Sequence, residues 1–236
     1  MTFSFARGAL ALAAMLTLAS CGGGKATFPI NVTVYNVLYP GLVLSTNGQD
    51  VAVNPGTDKT QPVNVVFPNQ IEYGQAYDVV PKGQVNLVGG TFPKHQTCAV
   101  PQEYPYNLPT SGTAGQLAKI QVYYICSINT YQLAGKVTGL RGTGLVLANG
   151  STALTVAVAP VLDATTSAPT GADVALTMSP VAYGATYGVT VLTQPTGQTC
   201  TVSGGANGNG TGIMDDAAEA ANGVTNLVIA CANNPA

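Results

Sequence analysis

The sequence predicts an all-β protein made of two tandem β-sandwiches, and three observations carry that prediction. Apolar residues recur with period two, as in "INVTV", where Ile30, Val32 and Val34 alternate with Asn31 and Thr33, the pattern of a strand with one buried face. A set of landmarks occurs twice in the same order. The composition, poor in Glu, Lys and Arg but rich in β-branched and turn-forming residues, suits short strands joined by tight turns. Beyond its N-terminal segment the 236-residue chain is long enough for two domains of about 100 residues each.

The first element is a targeting signal. Met1 to Arg7 carries one positive charge, and Gly8 to Ala19, "GALALAAMLTLA", is an unbroken small and apolar run, the layout of a secretory signal peptide over residues 1–20. That run is shorter than the about 20 apolar residues needed to cross a bilayer. Leu18, Ala19 and Ser20 directly before Cys21 resemble the bacterial lipobox. The resemblance implies cleavage before Cys21 and lipidation of that residue, which makes the membrane its partner. Acyl chains bury methylenes at ~0.8 kcal/mol each, so several of them anchor a chain stably. Gly22 stands where lipoproteins kept at the inner membrane typically carry Asp, which implies an outer-membrane address, facing the periplasm or the cell surface. Residues 21–27 then form a lipidated linker, with Gly22 to Lys25 as a flexible leash.

The repeat follows. "GLVLSTNG" at Gly41 to Gly48 is echoed by "GLVLANG" at Gly144 to Gly150, and "YGQAYDV" from Tyr73 by "YGATYGV" from Tyr183. "HQTCAV" around Cys98 matches "GQTCTV" around Cys200, and the strand ending near Cys126 matches that around Cys231. Counterparts lie 103, 110, 102 and 105 residues apart, placing insertions in loops and a boundary near Asn129 to Tyr131. The expected domains are residues 28–129 and 131–234. Within them "LTVAV" sets Leu154, Val156 and Val158 on one face, and Asn47-Gly48, Asn149-Gly150 and Asn222-Gly223 mark turns.

Apart from Cys21, four cysteines remain: Cys98, Cys126, Cys200 and Cys231. An even number in an exported chain reads as disulfides, with three connectivities open. The strand pattern chooses among them. Ile120, Val122 and Tyr124 share parity with Cys126, as Leu227 and Ile229 do with Cys231, while Cys98 goes with Val100 and Cys200 with Val202. Each copy thus offers two inward cysteines, which predicts bridges Cys98–Cys126 and Cys200–Cys231. Loops of about 30 residues contribute roughly 3 to 4 kcal/mol in the chain-entropy account.

The strings "GLVL..NG", "YG.TY.VTV..QP.GQTCTV" and "V.N..I.C" resemble an immunoglobulin-like repeat of bacterial lipoproteins and large exported proteins, often found in tandem. The second copy matches from about Tyr131 to Asn233; the first lacks the "QP.GQ" segment before Thr97. The resemblance implies immunoglobulin-like sandwiches acting as spacer, display or binding modules, with no characteristic catalytic residues. The chain has no Trp, so the Trp beside the disulfide of antibody domains has no counterpart. Tyr124 stands two residues before Cys126 as a tyrosine corner would, but Ile229 holds that place in the second copy, so the echo reads as coincidence.

Little in the sequence speaks for catalysis. His95 is the sole histidine, in a Pro- and Gly-rich loop where it reads as a solvated side chain. One histidine builds no His-based metal cluster of the usual spacing, and no G-x-S-x-G elbow accompanies it. Neither cofactor nor metal is expected, nor is an enzyme, and a hydrolase has the least support. Asp215, Asp216 and Glu219 precede and enter an Ala-rich stretch, where carboxylates cap a helix. "SGGANGNGTG" lacks the Lys and Ser or Thr of a phosphate loop. A net charge of −2 offers no electrostatic footprint for nucleic acid.

One asymmetry separates the copies. Eight of the 11 tyrosines lie in the first copy, which also inserts "PQEYPYNLP" after Cys98. Phe92, His95, Tyr104 and Tyr106 are the candidate ligand-binding residues, since aromatic side chains on loops over a rigid sandwich bind sugars or protein partners. The commoner use of such rings is packing, here in a core without Trp. The sequence therefore reads as a lipid-anchored envelope lipoprotein serving as a structural, display or protein-interaction module. The alternative is a carbohydrate- or peptidoglycan-binding lipoprotein that uses these aromatics. In either case the partner is an unidentified envelope protein or glycan.

Overall fold

The computed structural model describes residues 25–85, 88–150 and 155–235. The signal segment, Cys21 and most of the leash lie outside the described residues, as does Leu154. The chain divides into two compact units: one runs to Phe92 and resumes over Ala99–Ile125, the other comprises Pro93–Cys98 and the chain from Cys126 onward.

Period-two stretches become strands throughout. In the first half these are β1 (Thr27–Phe28), β2 (Ile30–Tyr35), β3 (Leu42–Thr46), β4 (Gln49–Val53), β5 (Val63–Val66) and β6 (Ile71–Glu72). They continue with β7 (Ala76–Asp78), β8 (Val80–Pro81), β9 (Gln96–Ala99), β10 (Ser111–Thr113) and β11 (Ile120–Ile128). The second half has β12 (Thr130–Thr138), β13 (Leu145–Asn149), β14 (Thr155–Val158), β15 (Val174–Ala182), β16 (Thr186–Thr193), β17 (Gln198–Ser203) and β18 (Thr211–Ile213). A single turn of helix, α1 (Asp216–Ala220), precedes the last strand, β19 (Gly223–Asn233). Asp215 caps α1 by accepting from the Ala217 and Ala218 amides, both at 3.1 Å. Among the described residues no helix is long and apolar enough to cross a membrane.

The sheets repeat as the landmarks do. One sheet of the first half has the order β5-β2-β11-β9, and its counterpart in the second has β15-β12-β19-β17. In both, the first long strand runs parallel to the last, with Ile30 opposite Ile120 and Val137 opposite Ile229. The second sheet of the repeat is β14-β13-β16-β18; in the first half β16 is replaced by two short strands, giving β4-β3-β8 and β10-β7. Equal strand order, including the uncommon parallel pair, is what one duplicated unit produces.

Burial explains why the two sheets close on each other. Leu133, Val137, Leu176, Met178, Leu227 and Ile229 from one sheet share a buried cluster with Leu145, Leu147, Tyr187 and Val189 from the other. In the first unit Ile30, Val32, Val34 and Val122 are equally buried, as are Leu42, Leu44 and Val53 of the opposing sheet. The Tyr124 hydroxyl donates to the Val79 carbonyl at 2.8 Å, a partner 45 residues away rather than the nearby backbone of a tyrosine corner. Burial pushes its phenol well above the usual range.

The disulfides are Cys98–Cys126 and Cys200–Cys231. Cys200 faces Cys231 across β17 and β19, and β9 lies beside β11 in the same way. Each bridge thus ties the last long strand of a sheet to its edge neighbour.

Candidate functional site

Two places gather chemistry-bearing side chains, one in each unit. The first is a groove on the solvent face of the sheet containing β2 and β11. Alternation sends Val32 and Val34 inward, so Tyr35 points outward; likewise Val122 and Tyr124 turn in while Tyr123 and Ile125 turn out. Register sets Tyr35 opposite Ile125. The segment after β9 then folds over these residues and adds Tyr106, whose ring meets Tyr35 edge-on at 5.5 Å and Tyr123 at 5.3 Å.

The groove has a volume of about 480 Å³, within the range of small-ligand pockets. Tyr35, Ile125, Pro101 and Tyr106 form its apolar surface, and Asn36, Gln102 and Glu103 supply polar groups. Burial first, then the nearby Tyr106, which also shares a side-chain hydrogen bond with it, and Tyr123 push the Tyr35 phenol up. Tyr106 is 41% exposed, and Tyr104 in the same segment is 86% exposed.

The second place surrounds His95, and it corrects the solvated-loop expectation. The His95 side chain is only 4% exposed. Its backbone is left-handed (φ 62°), and its carbonyl accepts from the Asn129 amide at 2.9 Å. The ring stacks on Tyr183 with centroids 3.5 Å apart and planes 6° from parallel. Nδ1 lies 2.6 Å from Glu219 Oε2, and Nε2 lies 3.5 Å from Asp216 Oδ1. The Tyr131 hydroxyl donates to Glu219, the Tyr183 hydroxyl donates to Asp216 at 2.7 Å, and Lys94 pairs with Asp216 at 3.1 Å. Hydrogen bonds from Tyr183 and Lys94 hold the Asp216 carboxyl below the usual range. Burial and then Glu219 push the Tyr131 phenol up.

Ligand atoms of His95, Asp216 and Glu219 lie within 4.8 Å of one another. The two carboxylates nevertheless face different ring nitrogens, whose lone pairs diverge. A single ion on Nδ1 would take Glu219, and one on Nε2 would take Asp216, while both carboxylates already accept from tyrosine hydroxyls. The arrangement orients the imidazole and ties Pro93–Cys98 to its own unit. Both ring nitrogens lie against carboxylates, Nδ1 against Glu219 and Nε2 against Asp216.

No family model matches the chain, and no curated protein matches it. Among solved structures it is similar to the T-13 major pilin of Streptococcus pyogenes, at 13% identity over 89% of this chain and 98% of that one, with a TM-score of 0.26. The T3.2 major pilin of the same species gives 13% identity, the same coverages and a TM-score of 0.27. Likeness at this level assigns neither membership nor function.

The four predicted ligand-binding residues therefore separate. Tyr106 lines the groove and Tyr104 stands exposed in the same segment. His95 is buried in the other unit, and Phe92 is half-buried, its ring edge close to Gly90. The sequence reading missed Tyr35, Tyr123 and Ile125. A signal for Tyr123 and Ile125 was present: "YYI" breaks the apolar–polar alternation of β11, putting apolar side chains on the face that should be wet.

Proposed function

We propose that the protein is an exported structural and interaction module of the cell envelope, held by lipid on Cys21 and built from two copies spanning residues 28–129 and 131–234. The observation that carries this reading is the repeated strand order with a separate disulfide in each copy. A bridge in each sequence copy suits an oxidising compartment and the display of surface at a distance from a tether. The lipobox resemblance supplies that tether and the outer-membrane address. Metabolic labelling with a fatty-acid probe tests it: the wild type should carry label and fractionate with outer membrane, and Cys21→Ser should be unlabelled and soluble. An unlabelled wild type sinks the anchor.

A second reading, binding of a carbohydrate by the first copy, is favoured by the groove beside Tyr106. Here the module would serve as a receptor surface rather than a spacer alone.

A further inference from the structure

Deepening that second reading, on which it rests, we propose that the groove over β2 and β11 binds a neutral, hydroxyl-rich glycan, whose sugar faces pack on Tyr35 and Tyr106, with Tyr123 supporting Tyr106 from behind.

The duplication supplies an internal control. In the second copy the positions of Tyr35, Tyr123 and Ile125 are held by Thr138, Val228 and Ala230, as the paired registers Tyr35↔Ile125 and Thr138↔Ala230 show. The sandwich therefore closes without aromatic side chains at these places. The covering segment is equally specific to one copy: after Cys98 the chain runs "PQEYPYNLP", whereas after Cys200 the corresponding connection is "GGANGNG". Both halves of the groove are additions to a fold that does not require them. Large side chains kept on a solvent face without a packing need mark an interaction surface.

The lining selects the ligand class. None of the described lining residues is Lys or Arg, and Glu103 is the single charged one, so a phosphate or uronic acid would meet no cation and one anion. Asn36, Gln102 and Glu103 bring planar polar groups to the rim, Gln102 being held by its Nε2 bond to the Val100 carbonyl at 3.2 Å. Flat apolar rings edged by such groups match a pyranose, which has a C–H face and a hydroxyl rim. A peptide fits less well. β2 and β11 are the inner strands of their sheet, so their backbone groups are spent in the ladder and none remains for strand addition.

The experiment uses the full mature chain with Cys21→Ser to avoid lipid. Titration calorimetry with neutral hexasaccharides of glucose and of N-acetylglucosamine is compared with oligogalacturonate and a proline-rich peptide. At least one neutral oligosaccharide should bind. Tyr106→Ala, and separately the triple change Tyr35→Thr, Tyr123→Val, Ile125→Ala to the second copy's residues, should each weaken it by at least about tenfold. Both variants should keep the wild-type circular dichroism, and Leu192→Ala, an exposed apolar residue of the second unit, should leave affinity unchanged. Binding of oligogalacturonate alone, lost in Tyr106→Ala, overturns the neutral class and leaves the carbohydrate reading standing. Binding of the peptide alone, or of no probe at millimolar concentration, overturns both. Sugar affinity that survives both groove variants overturns the groove as the site and leaves the carbohydrate reading standing.

Discussion

Asp216 is an exposed carboxylate whose protonation matters more than its exposure suggests. It accepts from Tyr183 and pairs with Lys94, and these partners hold its acid form off to lower pH than in the unfolded chain. A carboxyl lowered by folding stabilises the native state above its unfolded pKa of about 4 and loses that contribution as pH falls below that and through its lower folded value. The urea midpoint of the wild type should therefore drop more steeply between about pH 5 and 3 than that of Asp216→Asn. Parallel acid profiles for the two proteins would remove this role. His95 lies on the same network, and its partners explain why sequence alone left it solvated. Glu219 is 124 residues away, and no local pattern announces a partner so distant.

At the scale of elements, strand identity was legible because burial of one face imposes period two wherever a strand lies on a core. The cysteine pairing was legible for the same reason, since parity placed Cys98, Cys126 and Cys200 on buried faces and half-buried Cys231. Pairing direction was not legible: nothing in "INVTVY" shows that β2 runs parallel to β11. The β12–β19 junction adds a constraint that only contact reveals. Gly135 sits beside a register shift, and a Cβ there would lie 2.0 Å from the Leu227 carbonyl oxygen. Gly135→Ala should cost about 2 kcal/mol or more, read as a lowered urea midpoint, because backbone rather than a flexible side chain must move. A midpoint within error of the wild type would mean the two strands separate easily.

For the molecule as a whole, the two bridges recur with the duplication. Reduction should lower the melting temperature, with each lost bridge costing about 2–5 kcal/mol, and thiol counting after unfolding without reductant should find Cys98, Cys126, Cys200 and Cys231 blocked. A melting curve unchanged by reductant would show the cores sufficient alone. Repeat, all-β class and inward cysteines follow from order along the chain, because alternation is local and a duplication repeats it at long range. The groove and the His95 cluster depend on which outward residues lie side by side once strands have paired. Tyr35 and Tyr123 share a surface because β2 and β11 are neighbours, and Pro93–Cys98 packs with its unit because Glu219 and Tyr183 meet His95 there. Such adjacency arises from packing in three dimensions, which order along the chain does not encode locally.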